Sequence, residues 1–472
     1  MERRFEIRKR EILQEADIKP QVVDGMLKRL TQFAQPFIAP FGRHEPKDNA
    51  QIYMCGLLSD LERKNVESIA YRYDRDRRAI QQFIGTTPWD HQPLQQELAR
   101  QVGVEIGEDD GVIVFDPSGH KKCGNNSVGV QRQWLGRLGK VDNGQVGIYM
   151  GYASRKEHTL VDQRLYLPKK WINDRARRRK CGVPKNIRYQ TRHELSLDML
   201  KSNGDYLPHR WIAGDDEMGR SSGFRADLRA LGEQYLLAVP SNTGIRDIES
   251  QPPAYGGRGQ PPKQPFQRVD RWREALSTKI DVRDGEKGPL ITELVKRHVV
   301  ARTERGWDDC TAELLVVTRT PESNGTMKYD YYLSNAPVDT SLDELARVVK
   351  AEHRIEDCLK RAKSEAGLSD YEVRTWTGWH HHQILSLIAL WFLILETRRG
   401  KKIYIGADGS AGSDDVVRAA AYCLRPQLSR LGSTLYQTQK QTERTGSVLS
   451  LQGVFALNSV IIQVIPLHCP II

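Results

Sequence analysis

Apolar positions recur at helical spacing through the first hundred residues, in runs near Gln21 to Phe33, Asn49 to Leu61 and Leu94 to Val102. Pro36, Pro40, Pro46 and Pro88 separate these runs, and together they predict a helical region over residues 1–105. Within it, Val66 to Tyr71 and Asp76 to Ile84 are short helical patterns joined at Arg72 to Arg75. The second sets Arg77 and Arg78 opposite Ile80, Phe83 and Ile84. That arrangement fits a helix-turn-helix whose basic face meets phosphates, and it fits a plain helix pair as well.

The period changes at Gly111. Gly111 to Phe115 is a short apolar run bounded by Asp109, Asp110 and Pro117, as expected of a buried strand ending at Asp116. Gln145 to Tyr152 and Thr159 to Leu167 read as further strands. A helix around Arg192 to Lys201, a strand Arg210 to Gly214, a helix Phe224 to Leu231 and a strand Tyr235 to Val239 follow. This alternation predicts an α/β sheet over residues 106–240. Pro240 to Gln267 is rich in Pro, Gly, Gln and Ser and reads as a long irregular loop. It opens a β-containing insertion, residues 241–335, with strands at Glu313 to Thr318 and Tyr329 to Leu333. Ser341 and Glu344 form a capping box in sequence, so a helix carrying Glu356 starts there and the core resumes over 336–400. Gln383 to Glu396 is apolar nearly all round and too short for a membrane span, which suits a buried core helix. In the remaining segment, 401–472, the stretch Thr445 to Ile472 has no charged residue and reads as a buried strand or an atypical terminus.

Composition narrows the class. The 472 residues allow two or three folded units. Lys and Arg number 71 against 60 Asp and Glu, a balance of +11 that favours a polyanionic partner such as nucleic acid. Seven cysteines without a C-x-x-C pair argue against zinc ribbons and disulfide frameworks. The charged N-terminus lacks the apolar stretch of a secretory signal, so a cytoplasmic protein with no membrane association is expected.

Cleavage of a phosphodiester by two metal ions needs carboxylates converging on cations a few ångströms apart. Asp116 and Asp215 close two strands 99 residues apart, and Glu356 lies 141 residues further on. Singly, a strand-terminal Asp often caps a turn and a helical Glu is usually solvated; their surroundings change the reading. Lys121 and Lys122 follow Asp116 among flexible glycines, and Lys360 and Lys363 share a helix face with Glu356, so ligands and phosphate-pairing cations stand together in sequence. The run Arg175 to Lys180, including Arg177, Arg178 and Arg179, tracks flanking DNA or forms a solvated loop. Consecutive His380, His381 and His382 point about 100° apart on a helix and cannot converge on one ion, so they read as packing residues.

Three blocks carry a resemblance. Asp116 to Gln145, Ala213 to Gly219, and His353 to Arg374 with Trp376 and Trp379-His380-His381-His382 are similar, in order, to the blocks of insertion sequence 701 family transposases. The resemblance implies an RNase H-like catalytic core, dependence on Mg²⁺ or Mn²⁺ with two ions per site, and cutting and joining of double-stranded DNA. It makes Asp116, Asp215 and Glu356 the expected metal ligands, with Asp216 as the rival for the second; Asp215 places Gly219 at the family's distance. A homodimer is expected because two element ends must be brought together. Related families carry a Tyr and an Arg before the catalytic Glu and a Lys seven residues after it. Lys363 fits, whereas Glu352 and Val349 stand where the Arg and Tyr would be, and Arg354 is the nearest substitute. A DNA-binding protein without catalysis, or a nuclease without strand transfer, is the alternative.

Overall fold

The computed structural model describes residues 25–404 except 60, 272–277, 286–287, 308–310 and 323–324. The uncharged stretch from Thr445 to Ile472 lies outside the described residues.

Among the described residues five helices come first: α1 Met26–Ile38, α2 His44–Leu57, α3 Val66–Arg72, α4 Arg77–Gly85 and α5 Gln92–Ile106. The short pair α3 and α4 starts where side-chain caps permit. Asn65 accepts from the Ser68 amide at 2.8 Å and Asp76 from the Arg78 amide at 2.9 Å. Pro36, expected to break the chain between helices, instead lies inside α1. The buried stripe Met26, Leu30, Ala34, Phe37 continues past it, so apolar burial outweighs the lost backbone hydrogen bond.

The strands form one twelve-stranded sheet. Its first part comprises β1 Val112–Lys121, β2 Gln131–Leu135, β3 Lys140–Ala153 and β4 His158–Leu165. After the helices α6 Lys169–Asn173, α7 Arg175–Lys180 and α8 Arg192–Asn203 come β5 Trp211–Gly214, α9 Asp216–Arg220, α10 Ser222–Ala230 and β6 Gln234–Ala238. β1 runs antiparallel to β3 and parallel to β5, and β5 is parallel to β6, which gives the mixed α/β core expected of an RNase H-like enzyme. β1 does not stop at Asp116: it continues to Lys121 against β3. Pairing with β5 ends at Phe115, so Pro117 sits where one side of the strand has no ladder to break.

The insertion adds to the same sheet. β7 Gly244–Asp247, β8 Phe266–Arg268, β9 Thr278–Gly285, β10 Gly288–Ala301, β11 Ala312–Pro321 and β12 Met327–Ser334 extend it beyond β6. The stretch 240–267, expected to be irregular throughout, therefore contains β7 and the start of β8. Both are too short to show an alternating pattern and exist through pairing, β7 along the edge of β10 and β8 along β7. A buried ion pair, Arg225 Nε to Glu313 Oε1 at 2.9 Å, ties α10 to β11, with the Tyr235 hydroxyl donating to the same carboxylate.

Two long helices complete the described residues: α11 Leu342–Glu365 and α12 Trp376–Tyr404. Ser341 caps α11 by accepting from the Glu344 amide at 3.2 Å. The reciprocal half of the capping box is missing, because the Glu344 carboxylate accepts instead from Trp211 Nε1 at 2.7 Å and from Arg347. That exchange fastens the start of α11 to β5. α12 is the buried core helix expected from its composition, and no helix among the described residues is long and apolar enough to cross a membrane. Its three histidines are packing residues: the ring nitrogens of His381 stand 2.9 and 2.8 Å from the Ile84 and Trp89 carbonyls, one of which accepts from the neutral ring's single N–H, and His382 meets the Tyr53 hydroxyl at 2.8 Å. Burial lowers His381 to about 4 and His382 to about 3, so both are neutral links.

One continuous apolar core joins α1 to α5, the sheet, α11 and α12. The position of α11 depends on a glycine: a Cβ on Gly151 of β3 would lie 2.6 Å from Ile355 Cδ1. Gly151→Val should push α11 off the sheet and lower stability by about 2 kcal/mol, measured by urea unfolding; an unchanged midpoint would show that the helix seat tolerates a side chain.

Candidate active site

β1 and β5 lie side by side and parallel, and their last paired positions are Phe115 and Gly214. The next residue on each is a carboxylate. Asp116, still within β1, and Asp215, just past the end of β5, therefore sit side by side where the ladder between the two strands ends, about 4.8 Å apart in the sheet direction. Across β3, Asp116 faces Tyr149, whose hydroxyl donates to Gln383 Oε1 at 2.7 Å and meets His120 Nε2 at 3.0 Å. Asp215 is the N-cap of α9 and accepts from the Met218 amide at 3.1 Å. Asp216, the rival in sequence, is more than half exposed and pairs with Arg220 at 3.4 Å.

Burial is what sets the chemistry of the pair. It pushes Asp116 up to about 7, opposed by Lys363 and reinforced by the negative charges of Glu356 and Glu217. Asp215 is raised well above the ordinary carboxylate range by burial, by Asp116 and by Glu217. Two half-buried carboxylates that oppose each other's ionisation are a site for positive charge, and hard oxygen donors suit a divalent cation such as Mg²⁺. Among the described residues, no group of three His, Cys, Asp or Glu side chains is gathered as a metal cage. The Asp116 and Asp215 pair fits a dication, and a third ligand has to come from elsewhere in the site.

α11 supplies the candidates. Glu356 adds negative potential at Asp116 but is 59% exposed and stands 3.8 Å from Lys360. One turn earlier, Glu352 is raised well above its usual range, first by burial and then by Asp215 and Asp116. It is the acidic group that reasoning from the sequence passed over. The signal was present in its four-residue spacing from Glu356, which puts both on one helix face. Lys363, two turns after Glu356, donates to Ser118 Oγ at 2.7 Å, and Ser118 shares a face of β1 with Asp116. Arg354 donates to the Ser154 carbonyl at 2.9 Å and so serves the β3–β4 turn. Glu217, behind the site, is ion-paired with Arg192.

The other basic candidates divide into exposed and committed groups. Lys121 is exposed, with Asp142 at 3.5 Å. Lys122 is packed in: its ammonium donates to the Tyr371 carbonyl at 2.9 Å, lies 3.4 Å from that ring's centre, and is lowered to about 8 by burial. Arg77 pairs with Glu67 at 2.8 Å on the surface, and Arg78 beside it is exposed. The run Arg175–Lys180 is a helix rather than a loop, capped by Asp174. Arg177 stacks 3.9 Å from the centre of Trp171 and donates to the Asn125 carbonyl at 2.8 Å. Arg178 donates to the Pro184 and Ile187 carbonyls at 2.9 and 2.8 Å, and Arg179 points to solvent.

Comparison with known proteins gives this geometry a family. A probable transposase for insertion sequence element IS701 from Microchaete diplosiphon is 25% identical over 367 residues, covering 75% of this chain and 84% of that protein. A cryo-EM structure of the piggyBac transposase synaptic complex with hairpin DNA aligns over 95% of this chain and 84% of its own, with 10% identity and a TM-score of 0.40. The model of the DDE superfamily endonuclease family matches residues 36–289, more than half of the sequence, with both aspartates inside the match and the α11 carboxylates beyond it. The chain belongs to the DDE superfamily endonucleases.

Proposed function

We propose that this chain is a DNA transposase, which cleaves the ends of an insertion sequence and joins the released 3′ hydroxyls to target DNA. The observation that carries the reading is the half-buried pair Asp116 and Asp215, side by side where the parallel β1–β5 ladder ends. The relative from Microchaete diplosiphon, named a probable transposase, supports it. Asp116, Asp215 and Glu356 would hold Mg²⁺, or Mn²⁺ in its place, as two ions; when bound, these supply Lewis-acid stabilisation of the phosphate and an activated oxygen nucleophile.

The chain's own residues do the positioning. Lys363, fixed through Ser118, sets a positive charge beside Asp116 where a scissile phosphate has to lie. Lys121, Arg77, Arg78 and Arg179 are exposed cations for the backbone of double-stranded DNA, whereas Lys122, Arg177 and Arg178 hold the protein surface that presents them. Synapsis of two ends calls for a homodimer. The exposed position of Glu356 beside Lys360 favours a second reading, a DNA-binding protein that does not cut.

With the element's own ends and Mg²⁺ or Mn²⁺, the wild type should cut and join. Asp116→Asn, Asp215→Asn and Glu356→Gln should each lose at least about a hundredfold in rate while still binding the duplex. A wild type that binds but stays inert in both metals would hand the case to the second reading, and cutting without joining would make the protein a nuclease. The raised Asp116 sets a pH dependence. A carboxyl raised to about 7 in the fold from about 4 when unfolded favours the metal-free fold at low pH, and that stabilisation is lost as pH rises through about 7. Mn²⁺ affinity should climb across the same interval, because the ligand must lose its proton. Asp116→Asn should flatten the climb and, above this interval, melt higher than metal-free wild type; calorimetry showing identical pH profiles would remove Asp116 from the cation site.

A further inference from the structure

The insertion carries a cleft that the cutting reaction does not use. It has a volume of about 370 Å³ and is lined by Arg220, Asn242, Gly244, Phe266, Arg302 and Glu304, among others. Phe266 is 53% exposed, unusual for a phenylalanine. Gly244 makes room for its ring, since a Cβ there would come within 2.4 Å of it. Trp307 stands edge-on to Phe266, with centres 5.7 Å apart at 77°, and the Arg246 guanidinium lies 4.1 Å from the Trp307 ring centre. Strand pairing sets Arg246 directly opposite Phe266. The acidic residue of the cleft, Glu304, is engaged by the amide of Ser222 at 3.0 Å and by its hydroxyl. Arg220 has only an exposed partner, Asp216, at 3.4 Å, a contact weak enough for a phosphate to displace.

An exposed aromatic face beside guanidinium groups is the chemistry that binds an unpaired nucleotide, the base stacking on the ring and the phosphate meeting the cations. A base inside a duplex has no free face to offer. The cleft also lies close to the aspartates. α9 begins at its Asp215 cap and ends at Arg220, five residues or about 7 Å of helix, a span of about two nucleotides of one strand. We propose that the cleft holds one unpaired nucleotide of the DNA strand next to the cut, its base on Phe266 and its phosphate between Arg220 and Arg302. This rests on the transposase reading for its DNA, and it adds a second contact that keeps the strand separated beside the site.

The test uses the full-length protein with fluorescein-labelled decathymidylate and a blunt duplex, read by fluorescence anisotropy. Phe266→Ala should weaken decathymidylate binding by about tenfold and change duplex binding by less than about twofold. Phe266→Trp should restore the affinity, and Arg302→Ala should weaken it with a salt dependence shallower by about 0.7 in log–log slope. The proposal is overturned if wild type does not bind decathymidylate, if Phe266→Ala and Arg302→Ala bind it as wild type does with unchanged melting temperatures, or if Phe266→Trp fares no better than the alanine variant. Cleavage of element ends by the same wild-type preparation separates the two readings. Cutting without a Phe266 effect sinks the cleft alone, whereas a Phe266 effect without cutting leaves the cleft standing and sinks the transposase.

Discussion

Two half-buried carboxylates set side by side repel each other, and the rest of the structure is arranged around that repulsion. Asp116 and Asp215 leave adjacent parallel strands at matching positions, so their separation is set by the backbone ladder and not by side-chain choice. Packing against the surrounding core, together with neighbouring negative charge, raises both groups above the ordinary carboxylate range. In a protein without compensating charge this would be a defect. Here Lys363 and the cap at Met218 offset part of the cost, and what remains is affinity for a cation.

The helix that serves this pair is held with unusual care at its start and its middle. Glu344 gives up the reciprocal cap to bind Trp211 on β5, the strand that ends at Asp215. Ile355 fits against Gly151 on β3, and Lys363 closes the distance to Ser118 on β1. Three points spread along α11 are thereby referred to three different strands of the sheet. A carboxylate on that helix is positioned by the sheet, and both Glu352 and Glu356 inherit this precision. Glu352 is turned towards the aspartates, whereas Glu356 lies nearer solvent and Lys360.

The insertion is continuous with this arrangement. Its strands extend the catalytic sheet past β6, and the buried pair of Arg225 and Glu313 locks it to the helix that follows α9. Removing either partner would strand a charge in an apolar interior, so the link is rigid for the same reason that it is costly. The aromatic and arginine cluster around Phe266 is therefore carried at a fixed place relative to Asp215.

Much of this was readable from residue order alone. Periodicity placed the helices α3, α4, α5 and α12 and the strands β3, β4, β5 and β12, because apolar spacing reflects which face is buried whatever lies opposite. Local chemistry marked the Ser341 cap and the packing role of the three histidines. What residue order could not decide involves partners far apart in the chain. Glu344 prefers a tryptophan 133 positions away to its own cap; Lys122 is spent on Tyr371, while its neighbour Lys121 stays exposed; and β7 exists because β10 offers an edge, as β8 does because β7 then offers one. Burial and charge proximity are properties of the assembled core. The sequence alone therefore determined which residue types were present and at what local spacing, and only the tertiary structure decided which carboxylates lie close enough to oppose each other's ionisation and which cations stay at the surface.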